Sequence, residues 1–184
     1  MKSIFSDLVK YYTKAERVMV QRVENWYYIS DGHTAAKLPE WVYSTEIKTL
    51  CGLFSEVETG KGLEIYPAKL DSVKVPAPPN IAQFFTSLAD AIPVHATPFS
   101  FDIPKGKKAM QIRVFTSERF NSAINTALLK PFAKLGYSKA ASRDKLSPIL
   151  FTGAVYDVEY IVLPIRVGAN IWATAREIAE KVST

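Results

Sequence analysis

The stretch YYISDGHTAAKLP, residues 27–39, sets an acid, a glycine and one of only two histidines at the end of an apolar run. Asp31 and His33 are residue types that hold metals or relay protons, and the glycine between them frees the backbone to turn. Metal binding asks for more than the chain offers. His33 and His95 lie far apart, neither stands four residues from another ligand, and Cys51 is the only cysteine. Cys51 also falls on the apolar stripe of a predicted helix, which marks a buried thiol rather than a nucleophile. ETGKG (58–62) lacks the spacing of a phosphate loop and its Ser or Thr after the lysine. No G-x-S-x-G is present, and no pair of acids stands out as a glycosidase dyad. Asp31-Gly32-His33 is therefore expected to be a strand-ending turn with His33 partly exposed. No cofactor and no metal are expected.

The elements that must position these residues follow from apolar spacing. Five segments have helical period. The first aligns Ile4, Phe5, Leu8, Val9 and Tyr12; the second, after Ser44-Thr45-Glu46, aligns Ile47, Leu50, Cys51 and Phe54. The third aligns Ile81, Phe84, Phe85, Leu88 and Ile92. The fourth, 116–137, aligns Phe120, Ile124, Ala127, Leu128, Phe132 and Leu135, with Pro131 as a kink and Gly136 as its stop. The last, 170–182, aligns Ile171, Trp172, Ala175, Ile178, Ala179 and Val182.

Strand-like runs lie between them: 17–23 and 26–30 around Glu24-Asn25, 62–67 with 70–76, 93–103 with 109–115, and 147–152 with 158–167. Short turns between strands imply antiparallel sheets. The fold class is α+β, with helices packed on one face in helix-plus-hairpin units.

The 184 residues, 48% hydrophobic and 22% charged, suit one generous domain or two small ones. A single cysteine allows no internal disulfide, which suits a reducing cytoplasm. No apolar run is long enough to span a membrane or to act as a signal peptide.

Charge is distributed unevenly. Lys105, Lys107, Lys108, Arg113, Arg119, Lys130, Lys134, Lys139, Arg143 and Lys145 are opposed between 105 and 145 only by Glu118 and Asp144, a local net of +8. The rest of the chain is net −3. Such a field attracts a polyanion, so these ten residues are the candidate nucleic-acid contacts, against the alternative of a solvated basic face. Trp26, Tyr27, Tyr28 and Trp41 could stack on bases, but their strand and cap positions favour core or sheet-edge roles.

Ser30-Asp31-Gly32-His33-Thr34-Ala35-Ala36, after a hairpin preceded by an amphipathic helix, resembles bacterial DNA sliding clamps, whose middle domain carries a strand ending in Thr-Asp-Gly-His-Arg-Leu-Ala. The Arg-Leu pair is replaced here. The segment 119–136 looks like the last long helix of a clamp. Leu163-Pro164-Ile165-Arg166-Val167 is similar to the clamp's closing Met-Pro-Met-Arg-Leu type ending. A bacterial clamp subunit has three domains and ends near that motif, whereas this chain continues into 170–182.

The resemblance implies a clamp-like N-terminal domain over 1–78 and a clamp-like C-terminal domain over 79–184 with an extra terminal helix. It implies a non-enzymatic DNA-associated protein, a replication processivity factor or a relative of one. The implied partners are DNA bound weakly and without sequence preference, a polymerase or other replication protein, and further copies of the chain. An apolar groove beside Leu163, Pro164, Ile165 and Arg166 would take a partner peptide, and the run 158–167 is expected to be a closing edge strand. Two alternatives stand: an interaction module that binds or inhibits a replication partner, and a small enzyme with a site assembled from distant residues.

Overall fold

The computed structural model describes residues 3–44, 57–69, 71–75, 80–105, 108–169 and 172–173. The first helix, α1 (Ser6–Tyr12), buries Leu8 and Tyr12, as its spacing predicts, and carries Asp7 in its first turn. Strands β1 (Val18–Val23) and β2 (Trp26–Ser30) form a hairpin through Glu24-Asn25, and Glu24 adopts φ 52° to close it. Strand β3 (Thr34–Pro39), which periodicity does not reveal, follows Asp31-Gly32-His33 and leads into a single helical turn, α2 (Glu40–Val42). Strands β4 (Gly62–Tyr66) and β5 (Asp71–Val75) pair as expected. The helix expected from Ile47 to Phe54 lies outside the described residues.

In the second half, α3 (Ile81–Thr86) is capped by Asn80, whose side chain accepts from the Gln83 amide. It is shorter than its apolar spacing predicts, because Ile92 belongs to strand β6 (Ile92–Pro93). Strands β7 (His95–Lys105) and β8 (Lys108–Thr116) form the expected long hairpin.

The predicted fourth helix is overturned. Residues 121–125 are strand β9 (Asn121–Asn125), and two short 3-10 turns, Thr126–Leu128 and Lys130–Phe132, follow it. The Asn125 side chain accepts from the Ala127 amide, which turns the chain at the strand's end, and Pro131 has no amide to continue a helical ladder. Strands β10 (Lys139–Ser142), β11 (Ile149–Thr152) and β12 (Glu159–Val162) complete the fold.

One nine-stranded antiparallel sheet has the order β5-β4-β1-β2-β3-β12-β11-β10-β6, and a three-stranded sheet has the order β7-β8-β9. The α+β class with antiparallel sheets and few helices holds. The large sheet runs through both halves of the chain because β3 pairs with β12. At that seam Lys37 and Glu159 stand opposite each other and form an ion pair of 2.8 Å, with the Lys37 ammonium 4.5 Å from the Trp26 ring centre. Strand β12 is thus interior, not the closing edge expected for 158–167, and it ends at Val162, before Pro164 could remove a ladder donor.

Each face of the large sheet has its own apolar cluster. Tyr27, Ile29, Ala36, Leu38, Tyr160 and Val162 pack with α1 and with Phe115, Ile124 and Phe132. Tyr28, Ala35 and Ile161 pack on the opposite side with Ile81, Phe85 and Leu88 around α3. The strands at the seam are therefore buried on both faces, which explains the small Ala35-Ala36 pair in β3. No helix among the described residues is long and apolar enough to cross a membrane.

Candidate nucleic-acid interface

The turn that opened the sequence reading is a compact hydrogen-bonded corner. Gly32 has φ 88°, a conformation L side chains rarely adopt, and a neighbouring amide reaches the Asp31 carboxylate. Asp31 Oδ1 accepts from the amides of His33 (2.9 Å) and Thr34 (2.8 Å) and from the Thr34 hydroxyl (3.1 Å). Its other oxygen accepts from Tyr11. His33 is exposed, and among the described residues no three His, Cys, Asp or Glu side chains gather as a metal site. The acid serves the turn.

The ten candidate cations do not lie along a helix. Lys105 and Lys108 sit at the ends of β7 and β8, and Lys107 lies outside the described residues. Lys139 begins β10, and Arg143 stands exposed in the loop after it. Lys134 is neutralised in place: its ammonium lies 2.9 Å from an Asp7 carboxylate oxygen and 2.9 Å from the Ser6 hydroxyl, which ties the turn to α1.

Two pairs of cations converge. Arg119 and Lys145 line a depression of about 410 Å³ together with Trp172 and Glu118. Arg119 is held at the tip of the β8–β9 turn, where Ser117 Oγ accepts from the amides of Arg119 and Phe120. Lys145 sits in a loop organised by Asp144, which accepts from the Ser147 hydroxyl (2.7 Å) and from the amides of Leu146 (2.7 Å) and Ser147 (2.8 Å). The Ser147 hydroxyl, then the Leu146 amide, hold the Asp144 carboxyl below its ordinary value. The Lys145 carbonyl also accepts from Ser122 of β9 at 3.4 Å, which docks the loop on the small sheet.

Arg113 and Lys130 share the second concavity, a groove of about 540 Å³ between the β7–β8 hairpin and the turns after β9. Ser100, Gln111 and Arg113 come from the hairpin; Thr126, Leu129, Lys130 and Tyr137 form the opposite wall, and Phe132 and Tyr160 line its base. Among the described residues no acidic side chain lines it. Asp102 stands opposite Gln111 in the hairpin register, two pairs further along from the Ser100–Arg113 pair. Below, Phe132 stacks on Tyr160 at 4.0 Å and Tyr160 on Phe151 at 4.8 Å, a rigid aromatic pile that fixes the base. Burial, and then the neighbouring Tyr137, raise the Tyr160 phenol well above its ordinary value.

Sequence reasoning named Arg113 and Lys130 for their charge but not Ser100, Gln111, Thr126, Tyr137 or Tyr160. These come from four separate segments, and nothing local in the sequence joins them. The Leu163–Arg166 segment leaves the large sheet after β12. The Leu163 amide donates to the His33 carbonyl at 3.0 Å and the Ile165 amide to the Ala123 carbonyl at 2.8 Å, so the segment bridges the turn before β3 and strand β9. Leu163 is 38% exposed, and Arg166 is exposed.

No family model matches the chain, and no curated protein matches it. Among solved structures it is similar to the DnaN sliding clamp (DNA polymerase III subunit beta) of Bartonella birtlesii bound to griselimycin. That match has 14% identity and a TM-score of 0.38, covering 84% of this chain and 59% of that one. A second DnaN clamp structure, from B. birtlesii LL-WM9, gives 15% identity and a TM-score of 0.41 over 88% and 62%. The C. crescentus beta sliding clamp with PEG bound gives 15% and 0.37 over 89% and 64%. The chain thus spans less than two thirds of the length of each of these clamps, and the likeness is one of fold alone.

Proposed function

We propose that the protein is a non-enzymatic, DNA-associated protein that binds the phosphate backbone weakly and without reading base sequence. The observation that carries this reading is that Arg113 and Lys130 line one groove, with no acidic side chain among its described lining residues. Among the described residues neither cation is taken by an ion pair, so both are open to phosphate, and Arg119 with Lys145 adds a second basic patch. Backbone contacts of this kind position a protein on nucleic acid without specifying sequence.

In the same reading, residues 1–78 and 79–184 are two clamp-like halves, and the protein acts in the cytoplasm as a processivity factor or a relative of one. Its partners are a polymerase or other replication protein and further copies of itself. Lys139 and Arg143 extend the basic surface, and Lys105, Lys107 and Lys108 are further candidate contacts by their charge.

Fluorescence anisotropy of a labelled duplex over a salt series tests the proposal. Binding should weaken steeply with salt, by a slope of roughly −0.9 per phosphate contact. The double variant R113E/K130E should lose most of the binding, whereas K69E, on the far side of β4, should lose little. Equal losses in both variants would mean that overall charge, not this groove, drives association.

A second reading has its own observation. The exposed Leu163 is held beside the His33 carbonyl on an otherwise irregular segment with Pro164, Ile165 and Arg166, an apolar surface that a partner peptide could cover. Pull-down with a replication partner, lost in L163D and retained in R113E/K130E, would favour this interaction module over direct DNA binding.

A further inference from the structure

The groove at Arg113 contains one feature that contact with a phosphate backbone does not require. Tyr160 is 2% exposed, yet its hydroxyl makes no hydrogen bond to any described residue. Among the described residues no fully buried side-chain oxygen or nitrogen lacks a partner, so the Tyr160 oxygen is reached by solvent, and the groove is the concavity it lines. A hydroxyl that solvent reaches at the lining of a concave site is open to exchange its water for a polar ligand atom.

The walls state what else that ligand carries. Arg113 and Lys130 supply positive charge with no carboxylate among the described lining residues, which selects an anion. Pro98, Leu129 and the exposed ring of Tyr137 supply apolar and aromatic surface, which selects a flat body beside the charge. Gln111 Oε1 lies 3.2 Å from the Thr126 hydroxyl that donates to it, leaving the Gln111 amide nitrogen free to donate. A volume of about 540 Å³ falls within the range of pockets that enclose small ligands.

We infer that this groove binds a single nucleotide, its phosphate held by Arg113 and Lys130 and its base set against Tyr137 and the Tyr160 hydroxyl. The inference deepens the DNA reading, on which it rests for the two phosphate contacts. It adds a pocket for one unstacked unit, whether a free nucleotide or a nucleotide of a single strand. An intact duplex cannot present a base to it without flipping.

The test is an NMR titration of the full chain with dTMP, thymidine and inorganic phosphate, followed by a thymidine oligonucleotide and a duplex. The expected result is that dTMP shifts the resonances of Arg113, Lys130 and Tyr137 and binds more tightly than thymidine or phosphate. R113A/K130A should weaken dTMP roughly tenfold or more. Y160F, which keeps the aromatic pile, should weaken dTMP severalfold. Tighter binding of the oligonucleotide than of dTMP assigns the site to a strand, and equal binding assigns it to a free nucleotide. Thymidine binding as well as dTMP, or dTMP shifts mapping elsewhere, would overturn the inference. Duplex binding lost in R113E/K130E while dTMP leaves the groove unshifted would overturn the pocket and spare the DNA reading; the reverse result would do the opposite.

Discussion

The Tyr11 hydroxyl donates to Asp31 Oδ2 at 2.6 Å, which fastens the first helix to the turn between β2 and β3. Because Asp31 also receives three donors from His33 and Thr34, one carboxylate closes the turn and anchors α1. Asp31→Ala leaves all of these donors without their acceptor and should cost on the order of 2 kcal/mol, whereas Tyr11→Phe removes one bond and should cost about 1 kcal/mol. Asn at position 31 keeps the oxygen that closes the turn and should fall between wild type and Ala. Urea denaturation of the three variants checks the order.

Alkaline pH should weaken the fold through the same region. Burial first, and then the bond to Asp31, raise the Tyr11 phenol; burial raises Tyr12, Tyr28 and Tyr160 as well. A phenol whose folded value lies above its unfolded value of about 10 binds its proton more tightly in the native state. Its stabilisation is fully present below about pH 10 and is lost as pH rises above it. Of the nine tyrosines, these four should resist ionisation until the chain unfolds. A spectrophotometric titration that ionises all nine in one step, with the fold still intact by circular dichroism, would contradict this.

Gly153 is required for space rather than for backbone freedom. A Cβ there would lie 2.7 Å from the Val158 carbonyl oxygen, the same atom that accepts from the Gly153 amide across the β11–β12 turn. The obstacle is backbone, so it cannot swing aside. Gly153→Ala should destabilise by roughly 2 kcal/mol, at the level of an overpacked core position. Thermal unfolding of the variant, compared with Gly60→Ala, separates crowding from strain: Gly60 has open space around it but φ 78°.

The hairpins were legible because period-2 burial and turn residues agree, as in β1 and β2 around Glu24-Asn25. The region after β8 was not. Phe120, Ile124, Phe132 and Leu135 fall at helical spacing, yet Ile124 is buried from a strand while Phe132 and Leu135 are buried from short turns. Tertiary packing on the large sheet, not local period, places them. Strand β3 was missed for a related reason: Thr34, Ala35, Ala36 and Leu38 are buried on both faces, so the alternation that marks a one-sided strand is absent. The basic character of the candidate site was visible in composition. Its groove was not, because Ser100, Arg113, Lys130 and Tyr160 meet only through the fold.

That difference between charge and placement separates Lys130 from Lys134, which sequence reading treated alike. Lys130 lines the groove, whereas Lys134 is 2.9 Å from Asp7 and already spends its charge on α1. Both members of the Lys134–Asp7 pair are well exposed, so the pair adds little stability. A bound phosphate would have to compete with Asp7 for that ammonium. Lys130→Ala should therefore lower DNA affinity and reduce the magnitude of the salt slope by about one contact, while Lys134→Ala should change affinity by less than about twofold. Replacing Asp7 with Asn releases the Lys134 ammonium and should strengthen binding slightly. Anisotropy titrations of the three variants at several salt concentrations measure all of this. Equal losses for Lys130→Ala and Lys134→Ala would place the DNA on α1 and the turn together rather than in the groove.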